Sequence, residues 1–195
     1  MSKSNLIATS LVILFTSFSI TAQESKWTID PSHSAISFDI SYFKVGTIKG
    51  VFDSYSGSFT EENEVLTTVN ITIETASINT NQKDRDKHLR SRDFFDAESY
   101  SEINFKSTTI RKTGDKTYEI KGDFTMSGIT KSVVLKGIDN GSFIHPRFKT
   151  NNRFISVTGS INRDDFKVGA NYPPAKMALG SEVQLNAEIH LIQDK

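Results

Sequence analysis

Residues 183–191 read VQLNAEIHL, and this stretch decides the fold class. Apolar side chains occupy every second position, and polar side chains occupy the positions between them. Because successive side chains of a β-strand point to opposite faces, the alternation predicts a strand with one apolar and one solvated face. His190 falls on the polar face and is therefore expected in solvent.

The same alternation recurs along most of the chain, and turn-forming residues separate the runs. Strands are predicted at 36–42, 69–74, 103–106 and 118–126, and more weakly at 50–59, 131–138 and 154–161. The predicted breaks are Thr113-Gly114-Asp115, Ser127-Gly128-Ile129 and Asn140-Gly141. Short connections favour antiparallel neighbours. About eight such strands can bury their apolar faces either by closing into a barrel or by stacking as a sandwich.

Two segments lack this alternation. Residues 79–102 are rich in charge, and we predict one or two short helices there, packed across the sheet. Leu89, Phe94 and Phe95 are expected to be buried anchors of this insert, with Lys83 and Lys87 in water. Residues 168–180 contain two consecutive prolines, which cannot lie in a central strand, so we predict a long loop.

The N-terminus has the features of a secretory leader. Lys3 precedes an uncharged and mostly apolar run at residues 6–20, and Ala22 offers a small residue for cleavage. We predict a signal peptide at residues 1–22 and a single mature domain at 23–195. The alternative is a membrane anchor, but serine and threonine dilute the run, and a spanning helix needs about 20 mostly apolar residues.

Composition restricts the function classes. The chain has 23 basic and 23 acidic residues. Lys3 is the only charged residue that cleavage would remove, which would leave a net charge of −1. This balance gives no reason to expect binding to nucleic acid. Cysteine is absent, which excludes disulfides and thiolate chemistry.

The sequence contains no recognisable catalytic or metal-binding motif. The four histidines, His33, His88, His145 and His190, are far apart and match no ligand spacing. A nucleophile elbow and a glycine-rich phosphate loop are also absent. We therefore predict no catalytic residue, no metal site and no cofactor.

Five elements of the chain resemble the YceI-like family of polyisoprenoid-binding proteins. The most specific is DKHLRSRDFFD at residues 86–96, which matches the family's D-x-H-L-R-S-x-D-F-F-D motif. The others are DPSHS at 30–34, INFKS at 103–107, GDFTMSGITK at 122–131 and INRDDF at 161–166. Ser101 departs from the pattern, since the family commonly has proline there. The resemblance covers essentially the whole mature chain.

The resemblance implies an all-β protein: an extended antiparallel eight-stranded lipocalin-like β-barrel with a short helical insert. It also implies an isoprenoid chain inside the barrel, a periplasmic or secreted location, and no catalytic role. The expected function is that of an extracytoplasmic carrier for a long apolar isoprenoid-type lipid. Whether the protein forms a homodimer is left open.

The inward faces of the predicted strands identify candidate lipid-binding residues. They are Phe38, Ile40, Phe52, Phe59, Ile73, Phe105, Phe124 and Leu185. The pattern alone favours a filled core over a lipid-binding lumen, because small barrels are often packed with side chains. The family resemblance reverses that preference.

Charged residues of the insert are candidates for contact with a lipid headgroup. Arg90 and Arg92 are the proposed pair, because arginine forks suit phosphate. The alternative is a solvated, salt-bridged helix face that orders the barrel mouth. Two further function classes stay open at this point: an enzyme with a site not visible in the sequence, and a structural secreted barrel without a ligand.

Overall fold

The computed structural model describes residues 24–195, and antiparallel strands dominate this part of the chain. The strands are β1 (Glu24–Ile29), β2 (Ala35–Tyr42), β3 (Gly46–Phe52), β4 (Tyr55–Glu62), β5 (Val65–Glu74), β6 (Ile78–Asn79), β7 (Glu102–Lys112), β8 (Thr117–Met126), β9 (Ile129–Ile144), β10 (Asn151–Asn162) and β11 (Leu179–Gln193). The α-helices are α1 (Lys83–Leu89) and α2 (Pro173–Ala178). Short 3₁₀ turns lie at Pro31–His33, Thr75–Ser77 and Arg163–Phe166.

The strands form a closed barrel with eight positions around its circumference, here called staves. Three staves consist of two strands each, β1–β2, β3–β4 and β5–β6, joined at a kink; the other five are β7 to β11. One edge of β11 pairs with β10, and its other edge pairs with β2 and β1, which closes the ring. The predicted eight-stranded antiparallel barrel with a helical insert is therefore confirmed.

Cross-strand register places the apolar positions on the inside. Leu185 is paired with Phe38, Ile73 with Ile103, and Phe105 with Phe124. The side chains predicted to face inward are all buried or half buried. A shift of one residue in the pairing would move the apolar side chains of a strand to the solvent face. Burial of these side chains therefore strongly favours the observed register.

The two ends of the barrel differ. One end, here called the mouth, carries the β2–β3 turn, α1 and the turns after it, the β8–β9 turn, and α2. The other end, here called the floor, carries the β4–β5, β7–β8 and β9–β10 connections and the C-terminus. No helix within residues 24–195 has the length and apolarity needed to cross a membrane.

Three local predictions were wrong. Asn140-Gly141 is no turn: it forms a bulge inside β9, where the pairing with β10 shifts register and Gly141 adopts a φ of 113°. The strand predicted at 50–59 is broken between β3 and β4. The loop predicted at 168–180 contains α2, because Pro173 and Pro174 occupy its first turn, where no amide hydrogen is needed.

Candidate functional site

A cavity of about 620 Å³ occupies the interior of the barrel. Its wall is mostly apolar and includes side chains from each of the eight staves and from the helices at the mouth. All eight predicted residues lie in this wall: Phe38, Ile40, Phe52, Phe59, Ile73, Phe105, Phe124 and Leu185. The interior is therefore not filled by side chains, and the role of these residues in lipid binding stays a prediction.

Glycines at inward positions make room for aromatic rings in the wall. Gly50 is the cross-strand partner of Phe38, and a Cβ added to Gly50 would lie 2.3 Å from Cζ of that ring. A Cβ on Gly122 would likewise lie 2.5 Å from Cζ of Phe105. Both rings thus lie across a glycine of the neighbouring strand. This arrangement keeps them against the barrel wall and leaves the lumen open.

The cavity wall reaches solvent at the mouth, at the β2–β3 turn and α2. Phe43 and Met177 belong to the cavity wall, although they are 54% and 76% exposed. The Phe43 amide donates to the carbonyl of Ala178 at 2.7 Å, which ties the turn to the helix. Two apolar segments that are joined to each other therefore border the exposed end of the cavity.

The helical insert also covers the mouth. Phe94 is buried and contacts Tyr172 at a ring distance of 5.8 Å, while His88 packs edge-on against both rings. Lys83 and Lys87 are exposed, as predicted. Leu89 and Phe95, which we also expected to be buried, are only half buried, and both border the cavity.

The basic side chains of the cavity wall, Arg85, His88 and Arg163, are all near the mouth. Arg85 donates from Nε to Oγ1 of Thr80 and from Nη2 to the Thr80 carbonyl, both at 2.7 Å. His88 Nε2 lies 2.8 Å from a carboxylate oxygen of Asp93. Polar groups are thus concentrated where a ligand would meet solvent.

The structure does not bring the predicted headgroup residues to the cavity. Arg90 donates to the carbonyls of Ala76 and Ile78, at 2.6 and 2.9 Å, and so fastens the insert to the kink between β5 and β6. Arg92 points into solvent, and its nearest acidic partner is Asp96 at 3.9 Å. Arg85 and His88 occupy the wall instead, although no spacing in the sequence distinguished them from the other charges of the insert.

A buried ion cluster lies inside the barrel at the floor, and the sequence analysis missed it. Arg153 forms ion pairs with Glu61 and, at 2.7 Å from its Nη2, with Asp139. Each of the three side chains is on the inward phase of its strand, beside Ile155, Phe59 and Gly137 respectively. A charge on the apolar phase of an alternating strand is the signal that could have identified them. None of the three side chains lines the cavity, so the cluster lies beyond its apolar wall.

The charges of this cluster stabilise one another. Burial alone would raise the pKa of Asp139, but the hydrogen bonds from Arg153 and from the Gly141 amide, with the Arg153 charge, hold that pKa below its ordinary value of 3.8. Burial would lower the pKa of Arg153, whereas Asp139 and Glu61 raise it. Asp139 and Arg153 are therefore both ionised at neutral pH.

Acid should weaken the barrel through Asp139. Since the folded pKa lies below the unfolded value of about 3.9, the contribution of Asp139 to stability is complete above that pH and is lost as the pH falls through the folded pKa. We expect Asp139→Asn to be less stable than wild type at neutral pH, and to lose less further stability on acidification below about pH 4. Urea denaturation at several pH values measures this. Asp123→Asn, which changes an exposed carboxylate on β8, is the matched control, and a pH profile of Asp139→Asn parallel to that of wild type would contradict the assignment.

A second polar cluster lies on the outer face of the barrel, at the kink between β1 and β2. His190 is only 5% exposed, so the prediction that it is solvated was wrong: its strand face was correct, but the turn at Pro31–His33 and the ring of Phe154 cover it. His190 Nδ1 and His33 Nδ1 lie 3.1 and 2.8 Å from the same oxygen of Asp30. Within residues 24–195, these three residues form the one group of histidine and acidic side chains that could hold a metal ion. Their ligand atoms all lie within 4.8 Å of one another.

Comparisons with known proteins agree with the barrel. A YceI-like domain matches residues 27–191. Protein YceI of Escherichia coli O157:H7 is 34% identical over the full length of both chains. The crystal structure of the Campylobacter jejuni YceI protein superposes with a TM-score of 0.71 at 25% identity, covering 77% of this chain and 88% of that one. A polyisoprenoid-binding domain from Saccharophagus degradans has the same fold, with a TM-score of 0.64 at 14% identity, covering 86% of this chain and 98% of that one.

Proposed function

The chain belongs to the YceI-like family, and from this premise we propose that it is an extracytoplasmic carrier that holds one long apolar lipid of the isoprenoid type in its lumen. The family and the solved relatives point to a lipid-binding barrel and to a binding protein rather than an enzyme. The observation that carries the proposal is the open apolar cavity. Protein interiors are normally close-packed, and ligand sites commonly measure about 300–1,000 Å³, a range that includes this cavity.

The shape of the cavity supports an elongated ligand. Its wall follows β11 from Leu179 to Ile189 and includes side chains of every stave. The cavity therefore runs along the barrel rather than across it. Such a lumen suits one long hydrocarbon chain better than a compact ring system.

The affinity would come from the tail of the lipid. Each Å² of apolar surface removed from water contributes about 25 cal/mol before the entropic costs of binding. A chain with its apolar end toward the floor would contact Ile73, Phe105 and Phe124 along the way. The proposed polar end lies at the mouth beside Arg85 and His88, where a charged or hydroxyl headgroup could reach water.

An exported carrier is consistent with the N-terminal sequence. We propose that residues 1–22 are a cleaved leader and that residues 23–195 form the mature lipid-binding domain in the periplasm or outside the cell. The proposed cleavage point lies outside the residues that the structure describes.

Organic extraction of the purified protein, followed by mass spectrometry, tests the proposal. Protein expressed with its leader in a host that makes prenyl lipids should release a prenyl lipid at a stoichiometry approaching one per chain. A protein of similar size purified from the same host controls for lipid carried over non-specifically. An extract with no lipid above that control would favour the alternative function, a structural barrel without a ligand.

A further inference from the structure

The cluster of Asp30, His33 and His190 has a feature that a purely structural hydrogen-bond network does not require: two imidazole nitrogens are directed at one carboxylate oxygen. Oδ2 of Asp30 faces Nδ1 of His33 at 2.8 Å and Nδ1 of His190 at 3.1 Å. The other carboxylate oxygen accepts from the amide of Ser32 at 3.0 Å and from its hydroxyl at 2.6 Å. Asp30 Oδ2 and the two Nδ1 atoms therefore converge on one point.

The tautomer of His190 is fixed by its other nitrogen. His190 Nε2 lies 2.9 Å from Oδ1 of Asn152, and the amide nitrogen of Asn152 donates to the carbonyl of Thr150 at 2.7 Å. Exchanging the oxygen and nitrogen of this amide would place two carbonyl oxygens against each other, so Oδ1 must face the imidazole. His190 Nε2 therefore carries a hydrogen, and a neutral ring has its lone pair on Nδ1.

With its hydrogen on Nε2, a neutral His190 ring directs the Nδ1 lone pair toward Oδ2 of Asp30, 3.1 Å away. Two lone pairs cannot form a hydrogen bond with each other, whereas both can coordinate one cation placed between them. A metal ion shared by Asp30, His33 and His190 would satisfy this arrangement.

We propose that Asp30, His33 and His190 bind a divalent first-row transition metal, through one carboxylate oxygen and the two Nδ1 atoms. Two imidazoles and one carboxylate form a donor set that zinc and its neighbours favour. Ligand atoms around tetrahedral zinc are about 3.3 Å apart, given bonds of about 2.0–2.1 Å. The two separations from Asp30 Oδ2 are 2.8 and 3.1 Å, close to that value, and all three ligand atoms lie within 4.8 Å of one another.

Outer hydrogen bonds and backbone pairing organise the site in advance. Asn152 orients His190 and Ser32 orients Asp30, as groups behind metal ligands commonly do. The Asp30 amide donates to the His190 carbonyl at 2.9 Å, and the His190 amide donates to the hydroxyl of Ser34 at 2.9 Å. Two-thirds of the His33 side chain is exposed, which leaves a route for the ion and a coordination position for water. The metal would fasten the kink between β1 and β2 to β11.

Titration of chelator-treated protein with ZnCl₂, purified without a polyhistidine tag, tests this assignment. Calorimetry should show one Zn²⁺ per chain with micromolar or tighter affinity. A concentration of about 100 times Kd should raise Tm by about 5–10 °C. His33→Gln is the key variant, because the exposed side chain can be changed without loss of the fold, and it should weaken binding by at least about tenfold. His145→Gln removes a histidine from the β9–β10 connection and should bind Zn²⁺ as wild type does.

Two results would overturn the metal assignment: no Zn²⁺ binding at micromolar concentration, or equal affinity in His33→Gln and wild type. In either case the three side chains form a hydrogen-bonded network only. The site lies on the outer face of the barrel, so His33→Gln should retain its full content of extracted lipid. Failure of metal binding is therefore distinguishable from failure of the carrier proposal.

Discussion

Phe124→Asp should abolish the co-purification of lipid. Phe124 is buried in the cavity wall, where its ring packs edge-to-face against Phe166 at 5.5 Å, and no charged side chain described in that wall lies outside the mouth region. A carboxylate there would stand unpaired among hydrocarbon, which costs several kcal/mol unless it takes up a proton. Because the tail supplies most of the affinity, the loss should be larger than for any change of surface charge. Lipid content is measured by extraction and mass spectrometry, after circular dichroism has established that the variant is folded.

Two controls separate the effect of the lumen from other effects of the substitution. Thr125→Asp introduces the same side chain one residue away, on the outer face of β8, and should leave lipid content unchanged. The double change Lys83→Ala and Lys87→Ala should alter binding by at most about 1 kcal/mol, because both lysines are exposed. If folded Phe124→Asp kept its full lipid content while the lysine variant lost its lipid, the headgroup would supply most of the affinity. The expectation that the tail contributes more than the headgroup would then be wrong. If Phe124→Asp fails to fold, Phe124→Ser makes the same comparison with a neutral polar side chain.

Arg153→Met should lower the free energy of unfolding by about 3–5 kcal/mol. This is the largest loss of stability that we expect from a single substitution at the floor. Arg153 is 6% exposed, and its guanidinium forms ion pairs with Glu61 and Asp139 inside the barrel. Its removal leaves two acidic groups together in a buried place. Arg153→Lys should recover only part of the loss, because one ammonium group cannot reproduce the two ion pairs that the planar guanidinium forms with Glu61 and Asp139. Urea denaturation at neutral pH measures these differences.

A combined variant tests the reason for that cost. Arg153→Met with Glu61→Gln and Asp139→Asn removes every charge of the cluster and should be more stable than Arg153→Met alone, because no uncompensated charge remains. If the single variant lost less than about 1 kcal/mol, water would be screening the cluster and the floor would not be closed.

The antiparallel all-β fold was predictable because alternation records which side chains face inward, and the family resemblance favoured a closed barrel over a sandwich. Leu185 and Phe38, at opposite ends of the chain, are both on the apolar phase of their strands and become cross-strand partners. The cavity could not be derived in this way. Whether inward side chains fill a barrel depends on where the rings lie, and the glycines beside Phe38 and Phe105 become meaningful only once strand register is known.

The remaining misses have a common physical origin in contacts between distant segments. Polarity places His190 on the outer face, but the turn that covers it is more than half the chain away. Arg90 is a plausible phosphate ligand by residue type, yet two backbone carbonyls near the kink of β5 and β6 already use its donors. Glu61, Asp139 and Arg153 look like ordinary charges until three strands bring them together.

The pairing of β11 has a consequence for how the chain folds. The final strand supplies partners for β10 on one side and for β1 and β2 on the other, so the ring cannot close until the last residues are present. Contacts between chain ends are slow to form, since loop closure precedes any gain from pairing. Until then β10 and β2 each keep an open edge, a template for association with other chains. Truncation before β11 should therefore yield aggregates rather than a smaller barrel, and a chaperone would be most useful while the C-terminus is still unpaired.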